Sequence, residues 1–317
     1  MAYSAGDTIL DDEYNAFVNN SSSPFGYNHF AGTGSGEYGL GQSAISTVSA
    51  GDTINASHWN TLFTGLDNIA NHTNVSITAS SVSAGDTIAI RSALITDLAN
   101  LAAAVAAGST SATALGTNAV GTSTNSGTWN STSTIERSVT FASADAMRHF
   151  FNAGGKIRID PTVVTGIDGS KDDVFNDLTT TATGNLDIGA HATTRSGSGE
   201  TLTTNGLSNG FHDLGTGYTV LLKLTSDNSG YTSNTVEYSA KLNAAVGSAT
   251  TITVKMVSTD AADDTTFTSG NTSGVPANPN EAPRMTLALI EVHPTDAQGL
   301  AAAIQASANA EVSNSAS

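Results

Sequence analysis

Cysteine is absent from the 317 residues, which removes disulfides and thiolate metal sites from consideration. Charge is scarce as well, at 12% Asp, Glu, Lys and Arg against about 25% in a usual soluble domain. Bases are scarcest: 11 Lys and Arg face 28 Asp and Glu, a net charge of -17. Such a chain has no basic stripe to neutralise phosphates, so a nucleic-acid role is disfavoured, and an anionic membrane surface with it. No run approaches the roughly 20 apolar residues of a membrane helix. The opening Met1-Ala2-Tyr3-Ser4-Ala5-Gly6-Asp7 has no basic or apolar leader region, so no secretory signal is expected.

What is present is Ser, Thr, Asn, Gly and Ala, and an internal repeat. Ser4-Ala5-Gly6-Asp7-Thr8-Ile9 recurs as Ser49 to Ile54 and Ser83 to Ile88, each time leading into a helical pattern. Tyr14, Asn15 and Phe17 fall opposite Trp59, Asn60 and Leu62 at one offset. Gly-Asp reads as a tight turn, Thr-Ile as a short extended run, and a polar residue then opens a helix. Asn55 is the expected N-cap of the second helix, and Asp11, Asp12 and Glu13 place negative charge in the first turn of the first. The second helix carries Trp59, Leu62, Phe63, Leu66 and Ile69 on one face, and the third carries Leu94, Leu98, Leu101 and Val105. No single helix can bury its own stripe, so Trp59, Phe63, Leu94, Leu98 and Leu101 are candidate interaction residues. Copies spaced by 45 and then 34 residues do not make a regular solenoid. The longer interval holds an aromatic loop with Phe25, Tyr27, His29, Phe30 and Tyr38. Phe25, Tyr27 and Tyr38 could dock on a partner, although folding back over the local helices is the favoured reading.

Residues 1–107 thus form an attachment region, and the Ser/Thr/Gly tract 108–133 reads as a linker. Over 134–295, β-branched runs at Ile135–Phe141, Lys156–Asp160, Glu200–Leu207, Thr219–Leu224, Val236–Leu242, Thr250–Ser258 and Met285–Ile290 predict strands. A helix from the N-cap Ser143 to Gly154-Gly155, which supplies the C-cap, interrupts them. The expected fold class is α+β, mainly β: a short-helix repeat region followed by a β-sandwich of Ig-like or jelly-roll type. The Ala-rich tail 296–317 is expected to be a marginal helix or frayed.

The segment Met147-Arg148-His149-Phe150-Phe151-Asn152-Ala153-Gly154-Gly155-Lys156-Ile157-Arg158-Ile159 resembles a phrase of virion structural proteins of tailed bacteriophages, especially marine and cyanobacterial ones. Asn234 to Lys241, Thr250 to Lys255 and the Ala-Gly-Asp-Thr-Ile leader before Trp59-Asn60 are similar to the same family. The resemblance covers 1–75 and 135–293. It implies a place in the virion as a tail, neck or fibre component, and no reaction. The unpartnered helical stripes and polar strands favour oligomeric burial, so contacts with other virion proteins and a homo-oligomer (trimer or higher) are expected.

Chemistry-bearing patterns are sparse. Gly34-Ser35-Gly36 and Ser196-Gly197-Ser198-Gly199 lack the strand-to-helix frame of a nucleophile elbow. The seven histidines show no metal-ligand spacing. Asp168, Asp172 and Asp173, and separately Asp260, Asp263 and Asp264, are weak calcium candidates, because hard oxygens on turns suit the ion but solvated loops are commoner. The reading is therefore a non-enzymatic assembly protein without cofactor. A fibre or adhesin module binding host-surface glycan is the alternative, and a glycan-degrading tail enzyme a third reading.

Overall fold

The structure, a computed structural model, describes residues 11–84, 91–110, 115–164, 169–261, 282–294, 300 and 308–316. It is α+β with more strand than helix. The chain divides into two compact units, one drawn from Met1–Gly116, Arg148–Gly155 and His293–Gln305, the other from Thr117–Met147, Lys156–Val292 and Ala306–Ser317. Among the described residues no helix is long and apolar enough to cross a membrane.

The first unit is built on α1 (Asp11–Asn19), α2 (Ala56–Thr73) and α3 (Arg91–Ala106). Asn55 caps α2 by accepting from the backbone of Ser57 and His58, and Asn74 closes it in the left-handed conformation. Tyr14 and Phe17 from α1, Trp59, Leu62, Leu66 and Ile69 from α2, and Leu94, Leu98 and Leu101 from α3 share one core. The rings of Tyr14 and Trp59, matched in the repeat, meet edge-on at 5.3 Å, the favoured geometry for aromatic pairs. Each such side chain contributes about 1.5–3 kcal/mol by leaving water.

The repeat has a physical basis that its hexapeptide only hinted at. In the described copy, Asp52 N–H donates to Ser49 O at 3.0 Å while Gly51 sits at φ 89°, the type II turn for which glycine is suited. Asp52 also accepts from Ser49 N–H at 2.9 Å. The residue just before the second and third leaders is pinned by the matched asparagine of the preceding helix. Asn15 donates to Val48 O and accepts from Val48 N–H, at 2.8 and 2.9 Å. Asn60 does the same with Val82, at 2.9 and 2.8 Å. A second pin lies a few residues upstream in each extended run: Asn28 clamps Ile45, and the buried Asp97 of α3 accepts from Thr78 and Ala79 N–H. A helix followed by a pinned strap is therefore the repeating unit. Asn60→Ala leaves both Val82 groups without their partner and is expected to cost about 1–3 kcal/mol, read by urea unfolding. Asn15→Ala should cost a similar amount. The first leader, Ser4 to Ile9, and Gly85 to Ile88 of the third lie outside the described residues.

The second unit holds most of two antiparallel sheets. One has the order β1 (Leu115–Thr124), β10 (Arg284–Pro294), β3 (Lys156–Val164), β4 (Leu186–Ile188), β5 (Thr193–Arg195). The other runs β11 (Ala308–Ala316), β2 (Thr132–Thr140), β9 (Thr251–Thr259), β8 (Thr235–Leu242), β7 (Thr219–Thr225), β6 (Thr201–Asn205). All seven expected runs fall on strands. In β9, Ile252, Val254 and Met256 are buried while Thr251, Thr253 and Lys255 are half-exposed, as the two-residue period requires. Hydroxyl residues fill the other face in register: Thr132, Thr259, Thr235, Thr225 and Thr201 lie side by side across five strands. Such cross-strand threonine pairs stabilise by tenths of a kcal/mol each. Arg158 of β3 grips Asp187 of β4 through two nitrogens, at 2.7 and 2.9 Å.

Two segments differ from expectation. The tract 108–133 is not a plain linker: it contains β1, the start of β2, and Trp129, buried with its indole N–H donating to Pro283 O at 2.6 Å. The scarcity of large apolar residues hides a strand whose small side chains fit a pleated surface, and whose end is locked by the fully buried Asn125, bonded to Met285. The tail is likewise not helical where described. β11 pairs antiparallel with β2, because main-chain ladder bonds need no apolar side chains; Val312 remains 52% exposed. The helix α4 (Ala144–Asn152) behaves as expected, with Ser143 Oγ accepting from Ala146 N–H at 3.0 Å and Gly154 at φ 85°. Helix α5 (Gly169–Asn176) and the π-helical segment Asp177–Thr183 were not anticipated.

Candidate functional site

In the first unit, the interaction candidates separate into two groups. Trp59, Phe63, Leu94, Leu98 and Leu101 are all spent on the chain's own core, 8% exposed or less. Tyr27 is buried too, its ring lying where a Cβ on Gly65 of α2 would stand 2.8 Å away. Phe25 and Tyr38 instead remain half-exposed and gather around His29. Phe25 stacks on His29 at 4.4 Å, and Tyr38 leans on both at 4.7 and 5.0 Å. The loop thus folds over its helices and keeps one small aromatic cluster at its surface.

Beneath the cluster, α4 supplies three polar side chains that the loop's main chain absorbs. The Arg148 guanidinium donates to the carbonyls of Tyr38 and Thr33, and to Gly34 O at 3.2 Å. His149 Nε2 lies 3.2 Å from Thr33 O. Asn152 Nδ2 donates to Tyr38 O at 3.0 Å and to Gly36 O and Gly39 O at 3.3 Å. Gly39 makes this approach possible: at φ 95°, a Cβ there would stand 2.8 Å from Thr33 O and 2.9 Å from the guanidinium. Burial, and then the Arg148 charge, hold the His29 imidazole below its usual range.

The second unit has an open polar cleft of about 420 Å³ lined by Asp173, Val174, Asn176, Asp177, Asn228, Ser229 and Tyr231. α5 and the π-helical turn deliver its acids, and the segment after β7 delivers its amide, with Asn228 Nδ2 3.5 Å from Asp177. The neighbouring Glu200 carboxyl is pushed up by burial and accepts from Asp227 N–H at 2.6 Å. On the outer face of the β8–β9 ladder, the Tyr218 ring lies between Lys255 and Lys241, 3.9 and 4.4 Å from its centre. Burial and the Glu136 carboxylate push the Tyr218 phenol up.

Three of the six calcium candidates lie among the described residues. Asp173 is exposed at the cleft, Asp172 is buried in the first turn of α5, and Asp260 is buried against Lys171. Asp168, Asp263 and Asp264 lie outside the described residues. Among the described residues no three His, Asp or Glu side chains are grouped to hold a metal.

The aromatic loop is legible in the sequence but the cleft is not, because its acids are ordinary helix residues until Asn228 is brought across from a site 51 positions away. The distant ion pair of Lys171 and Asp260 was equally invisible. No family model, curated protein or solved structure matches this chain.

Proposed function

We propose that the chain is a structural subunit of a tailed-phage particle, tail-, neck- or fibre-associated, that works through protein–protein contacts. The observation that supports it most is the use made of the Met147–Ile159 phrase. Arg148, His149 and Asn152, its most chemically capable residues, are directed at main-chain carbonyls of the loop 33–39. Groups so committed hold a surface loop in shape and have little left for substrate chemistry. The half-exposed cluster that Phe25 and His29 form with Tyr38 of that loop is the contact patch in this reading, since rings anchored on a rigid support make efficient contacts. The two sheets are read as layers of a β-sandwich of Ig-like or jelly-roll type, supported by cross-links from β2 to β1 (Arg137 to Ser123 Oγ at 2.5 Å) and from β11 to β1 (Asn314 to Thr124 O at 3.0 Å).

Mass spectrometry of purified particles together with light scattering of the recombinant chain tests the proposal. Presence at a fixed stoichiometry and a homo-oligomer of three or more copies are expected. Absence from particles and a monodisperse monomer would overturn it.

The polar cleft favours a second reading, host-glycan binding. Its paired acceptors (Asp173, Asp177) and amide donors (Asn176, Asn228) suit the hydroxyls of a sugar. Under this reading the full chain retains host lipopolysaccharide in a pull-down and Asp177→Ala lowers retention at least tenfold, a loss of about 1.4 kcal/mol. Equal retention by both proteins removes it.

A further inference from the structure

We propose that Lys171 and Asp260 are the two halves of an intramolecular isopeptide cross-link within the β-rich unit. Lys171 Nζ lies 2.6 Å from Asp260 Oδ2, and the two side chains are 3% and 1% exposed. An ion pair this dry is a poor stabilising device, because the lost hydration of both charges consumes most of the attraction between them. The same dryness favours passing one proton from the ammonium to the carboxylate, leaving an amine facing a carboxylic acid. Covalent geometry then puts the carboxyl carbon within about 3.5 Å of the nitrogen, the range of a near-attack conformer.

The surroundings hold that geometry. Phe175, four residues after Lys171 and on the same face of α5, is fully buried and packs edge-on against Trp129 at 5.0 Å. Two residues beyond Trp129, Ser131 O accepts the Asp260 N–H at 2.9 Å. The amine thus arrives on a helix and the acid at the end of β9, each fixed by its own element, 89 positions apart in the chain. Bringing the partners together in this way is worth several kcal/mol of barrier.

In the step itself, the Nζ lone pair forms a bond to Cγ of Asp260. One Cγ–O bond breaks, its electron pair staying on oxygen, and that hydroxyl leaves with one nitrogen proton as water. The product is a secondary amide, and neither oxidant nor reductant is required.

Intact-mass spectrometry of the purified full chain, incubated folded and then denatured, tests this. The mass is expected to be one water, about 18 Da, below that of the sequence, and protease digestion should yield one branched peptide joining the Lys171 and Asp260 segments. Lys171→Arg keeps a cation opposite Asp260 but cannot form the amide, and is expected at its full sequence mass. An unmodified chain at full sequence mass, or a lost water that maps to other peptides, would overturn the proposal. The decisive reading is made on the unsubstituted protein and does not depend on what the chain assembles with.

Discussion

Arg148→Ala is expected to lower the unfolding free energy of the first unit by about 3–4 kcal/mol, the range of a broken buried polar network. Arg148 is 3% exposed, and its guanidinium serves carbonyls at Thr33, Gly34 and Tyr38. Removing it leaves a hole and deprives partly buried main-chain acceptors of a charged donor, which is roughly twice as strong as a neutral one. Asn152 and His149 retain their own bonds to Tyr38 and Thr33, so the loop loosens without being released. Arg148→Lys should recover less than half of the loss, because an ammonium cannot reproduce the planar fork that reaches several carbonyls. Urea unfolding followed by the fluorescence of Trp59, in a Trp129→Phe background, checks both values. Full recovery by lysine would show that charge alone matters.

Acid lability centred on His72 should be nearly as large. This residue of α2 is fully buried, and neither ring nitrogen has a side-chain or main-chain bond of ordinary geometry. Burial pulls its pKa from 6.5 down to about 4, with the backbone of Ala153 offsetting a little. A folded-state value below the unfolded one means that the stability is complete above pH 6.5. As pH falls the unfolded chain takes up a proton that the folded chain refuses, and by pH 4 about 3 kcal/mol is gone. His72→Leu fills a similar volume without a titrating group. Its stability should therefore drop less than the native chain's between pH 7 and pH 4, by that same amount. Parallel losses in the two proteins would place the acid lability elsewhere.

These two predictions also mark how far the residues could be read unaided. His72 and Arg148 are single polar letters among apolar neighbours, and nothing in their spacing separates a buried group from a solvated one. The seven β-branched runs, the caps Asn55 and Ser143, and the left-handed Gly154 were legible because each rests on a local rule. So were the apolar faces of α2 and α3. β1 and β11 were missed because small hydroxyl residues serve a strand and a linker equally well, and the choice between them is made by the strand alongside. The aromatic loop was legible as a cluster of rings, but its division into a buried Tyr27 and half-exposed Phe25 and Tyr38 was not.

By itself, the sequence determined the local chemistry: turn at Gly51, helix entry at Asn55, alternation along β9, and a repeat in which Tyr14-Asn15 matches Trp59-Asn60. These need only neighbours within a few residues, where backbone preference and side-chain period act. Tertiary structure decided which extended residue each asparagine pins, that the helical stripes close on one another, and that Asn228 meets Asp177. It also decided that Lys171, 89 positions from Asp260, lies against it out of water. Those outcomes depend on which distant surfaces bury each other, and burial sets the strength of every polar contact within them.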